Sequence, residues 1–184
     1  MANKEKNFVS AVIYVHNAED RIESFLKMVI KAMEDNFDHS EIICVNDHSD
    51  DNSLNIIKKA SSSASLTSIS VVNLSYFHGL EMAMNAGVDM SIGDFVFEFD
   101  SIEFCFTKEL LWLVYQKALE GNDVVSVETK CNSISRRNFY KLFNKYSSTD
   151  YDINASAFRL VSRRAINRVL DLQISCAFRQ AMYA

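Results

Sequence analysis

The chain has 184 residues, 48% hydrophobic and 23% charged, which suits one domain (1–184) with one sizeable core. Its net charge of −5 offers no general attraction to nucleic acid or to an anionic membrane surface, and no apolar run is long enough to span a bilayer. The start MANKEKNF lacks the apolar centre of a signal peptide, so a cytoplasmic protein is expected.

Cys44, Cys105, Cys131 and Cys176 are scattered, without the close pairs that zinc or redox motifs need, and are read as reduced and mostly buried. With four glycines and no proline, glycine-rich phosphate loops are excluded. Phe8–Val15 (FVSAVIYV) reads as a strand buried on both faces. Apolar residues then recur at helical spacing from Asp20 to Met33. Glu41–Val45 is a second strand, running through Asn46 to Asn52 into a helix over Leu54–Ala60; Ser49 or Asp51 is placed to cap that helix, while Asp47 sits at the strand exit. Ser61–Ser65 is a surface connection to a third strand, Ser68–Leu74. Gly79–Met90 reads as a helix with Met82, Ala83, Ala86 and Met90 inward. Gly93 and Asp94 turn the chain into Phe95–Phe99, which ends at Asp100. A helix over Thr107–Leu119, a strand over Asp123–Val127, a short strand over Phe158–Val161 and a helix over Arg163–Leu172 complete the pattern. Alternating strands and helices predict a single α/β domain, Rossmann-like, with a mainly parallel twisted sheet and helices on both faces.

The chemistry should lie at strand exits, because ligands of open α/β sheets bind outside the carboxyl ends of their strands. Asp100 either meets a metal or sugar there or caps the following helix, and both readings stand. His78 is either a base or a structural histidine between aromatic residues. The segment holding Arg136, Arg137, Lys141 and Lys145 with Phe139, Tyr140, Leu142, Phe143 and Tyr146 is an amphipathic helix with a basic side. It fits either anionic headgroups, as a peripheral membrane contact, or the sheet.

With these segments placed, their order resembles family 2 glycosyltransferases of the GT-A fold, most closely the branch that transfers sugars to dolichyl or other polyprenyl phosphates. Val12–Glu19 (VIYVHNAE) is similar to the family's opening strand and Asn-Glu turn, and Val45–Ser53 (VNDHSDDNS) to its acidic loop. Asn85, Ala86 and Gly87, then FYKLFNK (139–145) and FRLVSRR (158–164), match later blocks. The resemblance implies a nucleoside-diphosphate sugar bound by Val15, Asn17, Glu19, Asp47 and Asp100, with Asp47 on the base. It also implies Mg2+ or Mn2+ at Asp100 and a polyprenyl-phosphate or glycan acceptor. The departures fall on the chemistry: Ile102 replaces the second acid of the Asp-x-Asp motif, and Ala157 replaces an acid that serves the acceptor.

A departing diphosphate needs a cation to take its charge, and one carboxylate holds magnesium less well than two. Glu98 and Glu103 are the local replacements. A phosphate acceptor is already an anion and tolerates Ala157 better than a sugar hydroxyl would. The catalytic residue is not assigned, and the alternative reading is a degenerate relative that binds without turnover. Oligomeric state, homo-oligomer included, is left open.

Overall fold

The computed structural model describes residues 4–103, 106–129, 134–147, 152–172 and 178–183, without the side chains of 134–136. The central strand, β1 (Val9–Val15), is flanked by parallel partners on both sides: β2 (Ser40–Asp47) and β4 (Phe95–Phe99). Beyond β2 lies β3 (Ser68–Leu74), also parallel. On the other side β6 (Ser156–Ser162) runs antiparallel to β4, and β5 (Val124–Glu128) antiparallel to β6. The order of the six-stranded sheet is therefore β3-β2-β1-β4-β6-β5. The chain winds outward from β1 to β3 and returns to β4 on the opposite flank of β1. That reversal opens a crevice between the ends of β1 and β4, where ligands of such sheets bind. The mainly parallel sheet expected from the alternation is present, and the antiparallel β6 is the departure from it.

One face of the sheet buries Val9, Ala11, Ile13, Phe97, Phe99, Phe158 and Leu160 against α1 (Ile22–Asn36), α2 (Ser53–Ser61) and α4 (Lys108–Leu119). The other buries Val12, Ile43, Val45, Val96 and Val161 against α3 (Leu80–Met90) and α6 (Arg163–Asp171). The side-chain period of two explains why each inner strand reads as continuously apolar: both of its faces are covered.

Helix α3 corrects the inward face expected for it. Met82 and Met90 are exposed, and the buried stripe is Ala83, Met84, Gly87 and Val88. Gly87 sets this rotation. A Cβ there would stand 2.4 Å from Val12 Cγ1 and 2.6 Å from Val45 Cγ2, so only glycine lets the helix approach the sheet at this point.

Of the cysteines, Cys44 is free and buried, and burial pushes its thiol up to about 12. Cys105, Cys131 and Cys176 lie outside the described residues. Helix α5 (Ile134–Tyr146) and the short α7 (Arg179–Met182) complete the chain. Phe178 lies edge-on to Phe139 and Phe143, which ties the two helices together.

Candidate functional site

The crevice at the ends of β1 and β4 is a small cleft of about 200 Å³, lined by Tyr14, His16, Asn17, Ala18, Asp20, Arg21 and Asp100 to Glu103. One wall is built from two loops that follow β1 and β2 and are joined by reciprocal hydrogen bonds. Asn17 N–H donates to Ser49 Oγ at 3.0 Å, and Asp50 N–H donates to Asn17 Oδ1 at 2.9 Å. Ala18 N–H donates to Ser53 Oγ at 2.8 Å. Glu19 N–H donates to Asp51 Oδ2, and Asn52 N–H to Glu19 Oε2, each at 2.9 Å. Asn17 and His48 adopt left-handed φ values of 46° and 53°, conformations that Asn and His reach more often than other side chains. The polar run after β2, expected chiefly to cap α2, thus also pins the turn after β1. Of the two expected caps, Asp51 reaches the start of that helix, accepting from Ser53 N–H at 2.9 Å, while Ser49 bonds to Asn17 and Asn46.

Asp47 is fully buried, and its oxygens already have partners. His78 N–H donates to Oδ1 at 2.8 Å, Gly79 N–H to Oδ2 at 2.9 Å, and Tyr14 Oη–H to Oδ2 at 3.1 Å. Burial, and then the bond to Asp47, push the Tyr14 phenol up. Expected as an open ligand group at a strand exit, Asp47 instead fastens β2 to the start of α3. The physical reason is solvation: a carboxylate with no water access needs donors, and the two amides before a helix supply them. Gly79 takes φ of 84° to present its N–H there. Val15 is also buried, in the core, and does not line the cleft. His78 places Nδ1 2.6 Å from the Tyr76 carbonyl and stacks on the Tyr76 ring, a structural arrangement.

Asp100 lies at the opposite wall, where its carboxylate meets two guanidiniums of the chain. Its Oδ2 accepts a short hydrogen bond from Arg159 Nη2, and its Oδ1 accepts from Arg179 Nη2 at 2.6 Å. The same two guanidiniums hold Glu98, which is fully buried: Oε2 accepts from Arg159 Nη1 at 2.7 Å and from Arg179 Nε at 3.3 Å, and Oε1 accepts from Tyr183 Oη at 2.8 Å. Arg179 Nη1 also reaches Glu81 Oε2 at 3.0 Å. Three carboxylates, Glu81, Glu98 and Asp100, therefore share two guanidiniums, Arg159 and Arg179, whose side chains are only 2% and 3% exposed. Burial works against both cations, but Glu98 and Asp100 outweigh it and raise them above the ordinary arginine range. Burial, then Glu98, push the Tyr183 phenol up as well.

A divalent cation needs oxygen ligands in near-octahedral or looser array with free lone pairs aimed at it. The residues here do not fit one. Asp100 carries a guanidinium on each oxygen, Glu98 is fully engaged, Ile102 has no donor, and the exposed Glu103 turns to Arg21 at 3.3 Å. Among the described residues, no group of three His, Cys, Asp or Glu side chains is placed to hold a metal ion.

The cluster at Asp100 was the part that sequence reasoning missed, although a signal existed. Glu98 and Arg159 are single charges inside otherwise apolar runs, FVFEF and SAFRLVS, and each needs an opposite charge when buried. Their strands pair with Glu98 directly opposite Arg159.

An open α/β sheet with its cleft at the strand-order reversal is the architecture of GT-A-like domains, one of several α/β classes that bind ligands at that place. Solved structures agree: the mannosyltransferase of Pyrobaculum calidifontis, determined with GDP-Man and Mn2+, superimposes with a TM-score of 0.66 at 16% identity, over 90% of this chain and 47% of that one. The chain belongs to glycosyl transferase family 2, whose model matches residues 10–178. It is 32% identical over 170 residues to the bactoprenol glucosyl transferase of Shigella phage SfX, covering 88% of this chain and 54% of that protein. It is 27% identical over 178 residues to the undecaprenyl-phosphate 4-deoxy-4-formamido-L-arabinose transferase of Aeromonas hydrophila, covering 96% and 54%. The chain thus spans about half the length of these curated relatives. Among the described residues no helix is long and apolar enough to cross a membrane.

Proposed function

We propose that this domain binds a nucleoside-diphosphate sugar at the rim where β1 and β4 end, and transfers the sugar to a polyprenyl phosphate. The observation that carries the reading is the cleft at the strand-order reversal, in a chain of this family. The joined loops bearing Asn17 and Glu19 form the nucleoside side. Asp47 serves them by holding Tyr14 and the 78–79 amides, and Asp100 closes the sugar side. Phe77, half exposed and packed on His16 at 4.8 Å, gives the base an aromatic face beside the cleft. Arg21, 60% exposed and loosely paired with Glu103, is the cation of the cleft lining that is free to meet a phosphate.

The names of the two relatives support a lipid acceptor, and so does the chemistry. A phosphate oxygen of the lipid attacks the anomeric carbon as the bond from that carbon to the diphosphate breaks, and the nucleoside diphosphate leaves. An acceptor that is already an anion needs no base, which suits Ala157, buried in the core at the start of β6. Helix α5 supports approach to a membrane: Phe139, Leu142 and Tyr146 are exposed beside the exposed Arg137, Lys141 and Lys145.

The test incubates the protein with UDP- and GDP-sugars labelled in the sugar, together with undecaprenyl phosphate in mixed micelles. Label that moves to the lipid fraction supports the reading. Absence of any nucleotide binding by calorimetry, together with no transfer, rejects it.

A further inference from the structure

Asp100 is the residue at which a family 2 domain would be expected to present a carboxylate to a cation. Here that carboxylate meets cations supplied by the chain itself, Arg159 from β6 and Arg179 from α7. We infer that these two guanidiniums take the place of a divalent metal ion at Asp100, and that the domain binds its nucleoside diphosphate without one. The inference rests on the donor reading above for its ligand, but not for the state of Asp100.

Three observations carry it. First, each oxygen of Asp100 is held by a different guanidinium, so a metal ion on either oxygen would lie within a few ångströms of a fixed positive charge. Second, neither guanidinium is free to swing away. Arg159 is also bound to Glu98, and Arg179 to Glu98 and Glu81, and both are almost wholly out of water. Third, the positions that follow Asp100 offer no free second ligand among the described residues: Ile102 is apolar, and Glu103, 68% exposed, faces Arg21. Moving Arg179 aside would expose Glu81 and Glu98 as well as Asp100, so a cation would have to replace three contacts and not one.

Charge accounting agrees. Glu81, Glu98 and Asp100 against Arg159 and Arg179 leave the cluster one unit negative, close to balanced without any added ion. The diphosphate therefore meets Arg21 across the cleft, while Asp100 stays paired as the scaffold of the opposite wall.

The experiment has two arms on the whole chain. In the first, Mn2+ is titrated into nucleotide-free protein and free Mn2+ is followed by electron paramagnetic resonance, for wild type, Asp100→Asn and Arg179→Gln. Wild type is expected to take up no more Mn2+ than Asp100→Asn, whereas Arg179→Gln takes up more. In the second, UDP and GDP are titrated into wild type by calorimetry in EDTA and in Mn2+, which needs no variant to fold. Dissociation constants that agree within about twofold support the inference. Saturable Mn2+ uptake by wild type that Asp100→Asn abolishes overturns it, as does tenfold tighter nucleotide binding in Mn2+. If neither nucleotide binds under either condition, the donor reading fails, and the first arm still decides whether Asp100 takes a metal.

Discussion

Replacing Arg159 by Met tests the buried cluster most directly. Arg159 is the largest of the fully buried side chains, and its removal takes one guanidinium from Glu98 and from Asp100 together. Breaking a buried ion pair on one side costs about 3–5 kcal/mol, because the partner charge is left without its counter-ion. Arg179 and Tyr183 still reach Glu98, so the lower end, about 3 kcal/mol, is expected. At roughly 2–4 °C per kcal/mol for a domain of this size, the midpoint of thermal unfolding should fall by about 6–12 °C. The companion variant is Glu98→Leu with Arg159→Met, which removes both charges and fills their space with apolar atoms. Urea denaturation followed by circular dichroism should show the double variant recovering much of the loss. A loss under about 1 kcal/mol in the single variant, or a double variant no more stable than the single, would refute the claim that the pair is a coupled, desolvated unit.

Other expectations follow from the same geometry. Gly87→Ala should lower stability by about 1–3 kcal/mol in urea denaturation, since the new methyl stands 2.4 Å from Val12 and must push α3 off the sheet; an unchanged midpoint would contradict that packing. Arg21→Gln should leave stability unaltered, its pair with Glu103 being exposed, but weaken UDP or GDP binding about tenfold or more by calorimetry. Equal affinity would remove Arg21 from the phosphate site. Burial raises the phenol of Tyr115 to about 12, and it also raises those of Tyr14 and Tyr183. A raised folded value means that the unfolded chain releases these protons first, so their contribution is intact below about pH 10 and is lost as pH climbs through the folded values. Fluorescence-monitored unfolding should show stability falling above pH 10, and less steeply in Tyr115→Phe.

What could be read from the sequence was local. Apolar runs at Val9–Val15 and Phe95–Phe99 and the helical spacing after each gave the βα order, hence the rim where Asn17 and Asp100 line one cleft. Periodicity reports which face of an element is buried, and crossover handedness then limits the topology. It was less reliable for α3, where Met82 competed with Met84 for the inner face and the tight approach at Gly87 decided the rotation.

The state of the site acids was decided by tertiary structure alone. Asp47 is satisfied by amides 31 and 32 residues further along the chain, and Asp100 by guanidiniums 59 and 79 residues away. Spacing along a strand says that an acid stands at a rim, but not whether its charge is met there by water, by a ligand or by the protein. Here the antiparallel insertion of β6 between β4 and β5 sets Arg159 opposite Glu98, and the last helical turn brings Arg179 onto the same carboxylates. Once desolvated, those carboxylates hold the nearest fixed cations, and that physical demand turns an apparent ligand site into an internal ion pair.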